Sequence, residues 1–286
     1  TSMKKYFVTF VNYSSDYNSE EDMERYNLFK KYNSKRNKDY CLKHNYEYIE
    51  ADEEVFKIPH LFSIPSMPEF EVKNNNHFAR WQLFKNFIDN GDLKEGDVIR
   101  HHDADVFICD MEKELPYDKN FTYGIDSGNT HCFGAFNLKV GDFANKLIDT
   151  MLSKERFDLL TTKKFYKEND GGEVFYYWGD QQAYYIAAGI KCHSWLPFYL
   201  MPNYGFHSYV TPYVVFGLDE LVNNVDILPV TWNTTHLLGE SGGDWNIQNG
   251  LRDAYDICHS TRDKTILRHF AGGQKWRFEE YLNYST

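Results

Sequence analysis

The chain has 286 residues, of which 42% are hydrophobic and 26% charged, and its 31 Lys and Arg against 42 Asp and Glu give a net charge of −11. This apolar fraction excludes a disordered chain and is ample for a sizeable core. The acidic excess argues against an extended nucleic-acid-binding surface, because binding to many phosphates is electrostatic. A local basic pocket remains compatible with it.

The sequence has no long apolar run and no signal-like apolar start, which predicts a cytoplasmic or otherwise soluble protein without a transmembrane segment. Its five cysteines are widely spaced and form no C-x-x-C pair. Such spacing indicates reduced thiols rather than a disulfide framework or a zinc site.

The first elements in chain order alternate between strand and helix. Residues 6–11 form a β-branched and aromatic run, residues 20–44 carry aromatic side chains at helical spacing, and residues 46–49 are typical of a second strand. A strand, a helix and a strand in this order predict a parallel pair joined by a crossover. A helix over 78–88 and a strand over 97–100 follow an irregular, Pro-containing segment.

The second half is less regular. We predict a strand over 133–138, helices over 142–152 and 180–188, a short strand over 266–270 and a closing helix after Trp276. Aromatic, Pro and Gly residues dominate 195–249, which is typical of a loop-rich binding surface. The whole pattern predicts a single α/β domain with a Rossmann-like mixed sheet flanked by helices.

Asp103-Ala104-Asp105 follows the predicted strand over 97–100. In open α/β sheets ligands bind at the carboxyl ends of strands, and residues i and i+2 of an extended segment point the same way. Two converging carboxylates repel each other unless a cation lies between them, and oxygen ligands suit Mg²⁺ or Mn²⁺. The alternative is a solvated turn at the end of a strand.

The segment from His269 to Trp276 is a second candidate. A histidine at the end of an apolar run can be a third metal ligand, Gly272 lets the backbone approach a ligand, and Lys275 places an ammonium where a diphosphate could lie. The alternative is a core histidine followed by a glycine turn and an exposed lysine.

Together, the two segments resemble the motifs of retaining glycosyltransferases of the GT-A fold, especially glycogenin-like enzymes and the α-galactosyl and α-xylosyl transferases. The resemblance runs from about Tyr6 to Trp276 and implies one GT-A catalytic domain over 1–286. Within it, about 4–110 would be the nucleotide-binding half and about 111–286 the donor-sugar and acceptor half. It also implies that Asp103, Asp105 and His269 hold Mn²⁺ or Mg²⁺ and that Lys275 contacts the phosphates.

Further motifs extend the resemblance. Asp180-Gln181 looks like the helix start whose acid and amide lie against the reaction centre, although Asp180 could instead cap its helix. The remaining donor-binding residues that the resemblance implies are Thr9, Phe10, Val11, Tyr13, Asp52, Arg80, Ala104, Asp126 and Gly272. One departure is Cys132-Phe133-Gly134, which keeps the family's glycine and lacks the preceding asparagine, so the donor sugar stays open and Asp126 becomes the candidate for a hydroxyl contact.

The resemblance predicts a metal-dependent glycosyltransferase that moves a hexose from a nucleotide sugar, UDP-glucose or UDP-galactose first, to a hydroxyl of a glycan, protein or small molecule. Retention is implied, while an inverting reaction with Asp180 as general base stays open. The alternatives are an inactive nucleotide-sugar-binding or carbohydrate-binding protein, and a metallohydrolase that uses His101 and His102 with the acidic pair.

Overall fold

A mixed β-sheet forms the centre of the molecule in the computed structural model, which describes residues 2–10, 26–51, 75–127, 131–156, 180–190, 202–208, 211–237 and 260–270. Six strands form this sheet in the order β2-β1-β3-β6-β5-β7, and β4 pairs separately with β8. The strands are β1 (Lys5–Phe10), β2 (Glu47–Ala51), β3 (Val98–Asp103), β4 (Val106–Ile108), β5 (Phe121–Ile125), β6 (His131–Lys139), β7 (Val225–Leu228) and β8 (Leu267–His269).

Strand direction decides which strand ends lie along the same edge of the sheet. β1 is parallel to both β2 and β3, β6 is antiparallel to β3 and β5, and β7 is parallel to β5. β6 therefore runs opposite to the other five strands of this sheet. The carboxyl ends of those five strands and the amino end of β6 lie along one edge, and the predicted parallel crossover pair is confirmed as β1 and β2.

Four of the predicted helices are present in whole or in part, and the predicted closing helix after Trp276 lies outside the described residues. The described helices are a π-helical segment (Phe29–Ser34) followed by α1 (Lys35–His44), then α2 (Asn75–Asp89), α3 (Asp142–Met151), α4 (Asp180–Ala188) and α5 (Leu218–Asn224). α1 ends where Asn45 adopts a left-handed conformation with φ 58° and its N–H donates to the Cys41 carbonyl. Asparagine tolerates this conformation better than most residues, which explains the position of the helix end.

Helices cover both faces of the sheet because consecutive buried apolar residues of a strand point to opposite faces. Phe7 of β1 faces α1, where its ring lies 6.1 Å from that of Tyr40. Tyr6 lies on the other face, where its ring meets Phe87 of α2 at 5.0 Å. On that face Tyr6 also belongs to one buried cluster with Tyr184 of α4. Both halves of the chain thus share a core, and the predicted single α/β domain is confirmed.

The sequence pattern missed several elements. β5, α5 and β7 were not predicted, and the last two lie within the segment assigned to loops. Each is only 4–7 residues long, which is too short to show a clear periodicity. The predicted strand over 266–270 is present as β8, but its partner is β4 and not the central sheet.

The described part of the chain contains free cysteines and offers a check on membrane-spanning helices. Cys41, Cys109 and Cys132 are free, while Cys192 and Cys258 lie outside the described residues. Burial raises the pKa of the Cys41 thiol to about 12, which keeps it protonated at neutral pH. Across the ranges that the structure describes, none of the helices has both the length and the apolar character needed to cross a membrane.

Leu138→Ala tests the core beneath the sheet. Leu138 is fully buried on β6, so the cavity left by truncation should lower the free energy of unfolding by about 2–5 kcal/mol. Leu42→Ala is the matched control because Leu42 is 83% exposed on α1. Urea denaturation measures both, and equal midpoints for the two variants would contradict the assigned core.

Candidate metal centre

The turn between β3 and β4 holds the acidic pair. β3 extends beyond the predicted strand and ends at Asp103, and Ala104 and Asp105 form the turn that leads into β4. Asn33 donates from one amide nitrogen to the carbonyls of Ala104 and Val106, both at 2.8 Å. These bonds fix the backbone from which both carboxylates project.

Pairing between β4 and β8 brings the histidine to this turn. His269 lies opposite Val106 in the antiparallel register, and the Phe270 N–H donates to the Asp105 carbonyl at 2.8 Å. As a result, His269 Nε2 lies 3.2 Å from Asp105 Oδ1 and 3.9 Å from Asp103 Oδ2. The structure therefore gathers the three predicted ligands, whose ligand atoms all lie within 4.8 Å of one another.

The electrostatics of this cluster favour positive charge between the carboxylates. Burial alone would raise the pKa of Asp103, but the Arg80 guanidinium and His101 hold that pKa well below its usual range. Burial would likewise lower the pKa of His269, but the Asp105 carboxylate raises it well above the ordinary value. Two carboxylate oxygens and an imidazole nitrogen fit a divalent cation such as Mn²⁺ or Mg²⁺.

Arg80 joins this cluster to the start of α4. Its Nε and Nη2 donate to Asp180 Oδ2 at 2.9 and 2.7 Å, and its Nη1 donates to Asp103 Oδ1 at 2.7 Å. The Trp81 indole N–H donates to the same Asp180 oxygen at 2.6 Å. Arg80 and Asp180 are both buried, so a single guanidinium compensates two carboxylates and couples their positions.

Gln181 has both ends of its amide engaged by the protein. Its Oε1 accepts from the Phe133 N–H at 3.0 Å, and its Nε2 donates to the Tyr185 hydroxyl at 3.1 Å. The Tyr185 hydroxyl in turn donates to the His131 carbonyl. Gln181 thus holds the first turn of α4 against the amino end of β6, beside the edge that carries the acidic pair.

The remaining sequence-predicted residues divide into two groups. Thr9 is buried on β1, Phe10 pairs in register with Asp103, and Asp126 follows β5, so all three lie at the carboxyl edge of the sheet. The other predicted donor-binding residues lie outside the described residues, and they are Val11, Tyr13, Asp52, Gly272 and Lys275. The loop contribution to the site therefore stays a prediction.

Sequence reasoning did not foresee why position 134 is glycine. A Cβ built on Gly134 would lie 2.5 Å from both Cε1 and Nδ1 of His269. The backbone of β6 therefore forms one wall of the histidine pocket, and any side chain there would displace the ring. The glycine in Cys132-Phe133-Gly134 was the sequence signal for this pocket. The family resemblance connected it with the donor sugar and not with the histidine.

His101 and His102, which precede the acidic pair, lie in different environments. The His102 ring packs at a tilt against Phe7, with ring centroids 4.6 Å apart, and accepts a hydrogen bond from Arg100 Nε at 3.0 Å. Burial holds the pKa of His102 well below its ordinary value, so the ring is neutral. His101 Nε2 lies 2.8 Å from Arg80 Nη1. Among the described residues, the potential ligand cluster contains neither histidine, which gives no support to a metallohydrolase cluster built on both.

This chain resembles known proteins in structure but shows no significant similarity to them in sequence. No protein-family model matches the sequence, and no curated protein matches it significantly. A crystal structure of a glycosyltransferase involved in the glycosylation of the major capsid of PBCV-1 matches 97% of this chain and 99% of its own, with 10% identity and a TM-score of 0.46.

The glycosyltransferase GlyE of Streptococcus pneumoniae TIGR4 matches 99% of this chain with 13% identity and a TM-score of 0.43. This chain spans only 60% of the length of that structure. At these scores and identities neither likeness assigns an activity, so the function has to be inferred from the site itself.

Arg80→Gln tests the coupling between the two buried carboxylates. Removing the guanidinium leaves Asp180 uncompensated, and breaking a buried ion pair costs about 3–5 kcal/mol of unfolding free energy. In the double variant with Asp180→Asn the loss should be smaller than the sum of the single losses. Urea denaturation measures the free energy of unfolding of each variant.

Lys85→Gln provides the control on the same helix. Lys85 pairs with Asp149 at 3.4 Å and is 39% exposed, so its removal should change stability by less than about 1 kcal/mol. Strict additivity of the Arg80 and Asp180 substitutions would show that the two side chains do not interact.

Proposed function

We propose that this protein is a metal-dependent glycosyltransferase of the GT-A fold, which moves a hexose from a nucleotide sugar to an acceptor hydroxyl. The observation that carries the proposal is the cluster of Asp103, Asp105 and His269 at the carboxyl edge of the sheet. Ligands of open α/β sheets bind at this edge, and three protein ligands leave positions for phosphate oxygens.

The residues named from the sequence would together supply the parts that glycosyl transfer needs. A bound divalent cation would neutralise the charge that develops on the departing diphosphate. Asp103, Asp105 and His269 would hold it, with Gly272 and Lys275 completing the phosphate contacts. Val11, Tyr13 and Asp52 would bind the base beside Thr9 and Phe10, and Ala104 and Asp126 would contact the rest of the donor. We take this donor to be UDP-glucose or UDP-galactose.

Asp180 and Gln181 would stabilise the positive charge that grows on the anomeric carbon. Arg80 and Trp81 hold one oxygen of Asp180 through three hydrogen bonds of 2.6–2.9 Å. A carboxylate held in this way keeps a fixed negative charge, which suits electrostatic stabilisation of the anomeric carbon. We take the reaction to be retaining, as the motif resemblance implies.

The same proposal assigns different roles to the two halves of the chain. Residues of about 4–110 would form the nucleotide-binding half and residues of about 111–286 the half that meets the donor sugar and the acceptor. The acceptor would be a hydroxyl of a glycan, protein or small molecule. β3 and β6, which pair at the centre of the sheet, come from the two halves, so the cleft between donor and acceptor would lie over them.

Asp103→Asn and Asp105→Asn should each lower Mn²⁺-dependent turnover of a UDP-sugar at least about 100-fold, because each removes an ionised ligand. Release of UDP, followed by chromatography with a panel of UDP-sugars, measures the effect. Asp149→Asn is the control, since Asp149 is an exposed carboxylate on α3. Full activity in EDTA would contradict the metal role, and binding of UDP-sugars without any turnover would instead indicate an inactive binding protein.

The stereochemistry of the product tests the role of Asp180. Retention should give a product with the same anomeric configuration as the donor, which NMR coupling constants of the anomeric proton report directly. Asp180→Asn should lower turnover without changing that configuration. A product of inverted configuration would exclude the retaining reaction and restore Asp180 as a candidate general base.

A further inference from the structure

The ring of His269 contacts a buried amide on the side away from the carboxylates. Its Nε2 lies near Asp103 and Asp105, whereas its Nδ1 lies 3.1 Å from Asn233 Oδ1. Asn233 is fully buried and directly follows the 3-10 turn Val230–Trp232. The motifs that predicted the metal site did not include this residue.

The backbone places Asn233 beside the histidine. The Thr234 N–H donates to the Leu267 carbonyl at 3.0 Å, and the His269 N–H donates to the Thr234 carbonyl at 2.9 Å. The segment that carries Asn233 is therefore bonded to both ends of β8. Because these bonds involve only main-chain atoms, they do not depend on the Asn233 side chain itself.

Two glycines make room for this pair. A Cβ on Gly134 of β6 would lie 2.5 Å from the His269 ring and 3.0 Å from Asn233 Oδ1. A Cβ on Gly124 of β5 would lie 3.2 Å from Asn233 Cβ, which is also tighter than an ordinary contact. Neighbouring strands thus lack side chains at the points where the amide and the imidazole pack.

The chemistry of the contact selects one tautomer of His269. An amide oxygen only accepts hydrogen bonds, so Nδ1 must carry the proton, and in the neutral ring Nε2 then keeps its lone pair. Cys132 Sγ lies 3.7 Å from Nδ1 but is a weaker acceptor than the amide oxygen. Within the described residues Asn233 Nδ2 is buried without a hydrogen-bond partner, so the contact with His269 is the one hydrogen bond that orients this amide.

We propose that Asn233 is a positioning residue that holds His269 in the Nδ1-protonated tautomer and so presents Nε2 to a divalent cation held with Asp103 and Asp105. This rests on the proposed function only in taking the cation to be that of the transferase reaction. Partners on the far nitrogen of a ligating histidine fix ring orientation and tautomer, and their loss weakens metal binding about 10–100-fold.

The test measures Mn²⁺ binding to the protein without any donor sugar. Electron paramagnetic resonance of free Mn²⁺ gives the Kd of each variant. Asn233→Leu removes the acceptor at similar volume and should raise the Kd about 10–100-fold, whereas Asn233→Asp keeps an acceptor oxygen and should restore most of the affinity. Asn137→Leu is the matched control, because Asn137 is a buried amide on β6 that bonds to the Leu115 and Pro116 carbonyls away from the cluster.

A spectroscopic readout covers the case in which a variant does not fold. Histidine ¹⁵N shifts distinguish Nδ1–H from Nε2–H, and loss of one set of signals in His269→Gln assigns this ring among the 11 histidines. We expect Nδ1–H in the Mn²⁺-free protein at a pH where the ring is neutral. Nε2–H in the unaltered protein would overturn the proposal, as would an unchanged Kd in folded Asn233→Leu.

The same measurements separate this inference from the proposed function. Mn²⁺ binding that depends on Asn233, in a protein that transfers no sugar, would support the positioning role and reject the transferase. Absence of Mn²⁺ binding in the unaltered protein would overturn both.

Discussion

Mutual repulsion between Asp103 and Asp105 is the constraint on which the rest of the site depends. Both carboxylates project from one short turn at the edge of the sheet, where water is partly excluded. Their charge has to be compensated, and the structure supplies Arg80 on one side and His269 on the other. Under the proposed function, a bound cation would add to this compensation and would let an acidic protein bind a phosphate-bearing ligand with few basic side chains.

Compensation of charge also links parts of the molecule that are distant in sequence. Arg80 on α2 bonds to Asp103 and to Asp180, so the proposed metal ligand and the proposed electrostatic stabiliser share one guanidinium. The Arg80 side chain is buried, which leaves it little freedom to move. A site of this kind is preorganised, because its charged groups are held by secondary structure and by each other before any ligand binds.

On the histidine side of the cluster, backbone pairing and close packing act together with charge. β4 and β8 pair immediately after the acidic turn, and Asn233 and two glycines shape the pocket that receives the ring. Several elements therefore decide the orientation of His269 together. Some contribute a hydrogen bond, and others leave room for the imidazole ring. This explains why a small site draws on β4, β5, β6, β8 and the segment after β7.

The sequence alone determined the α/β class, the order of the main strands and helices, and the acidic pair at a strand end, because hydrophobic periodicity and polar breaks are local signals. It also marked His269 and Asp180 through motif resemblance. Only the tertiary structure decided that Arg80 bridges two carboxylates, that Gly134 and Asn233 shape the histidine pocket, and that β8 pairs with β4. These facts depend on contacts between residues far apart in the chain, and a single sequence contains no local pattern that records such contacts.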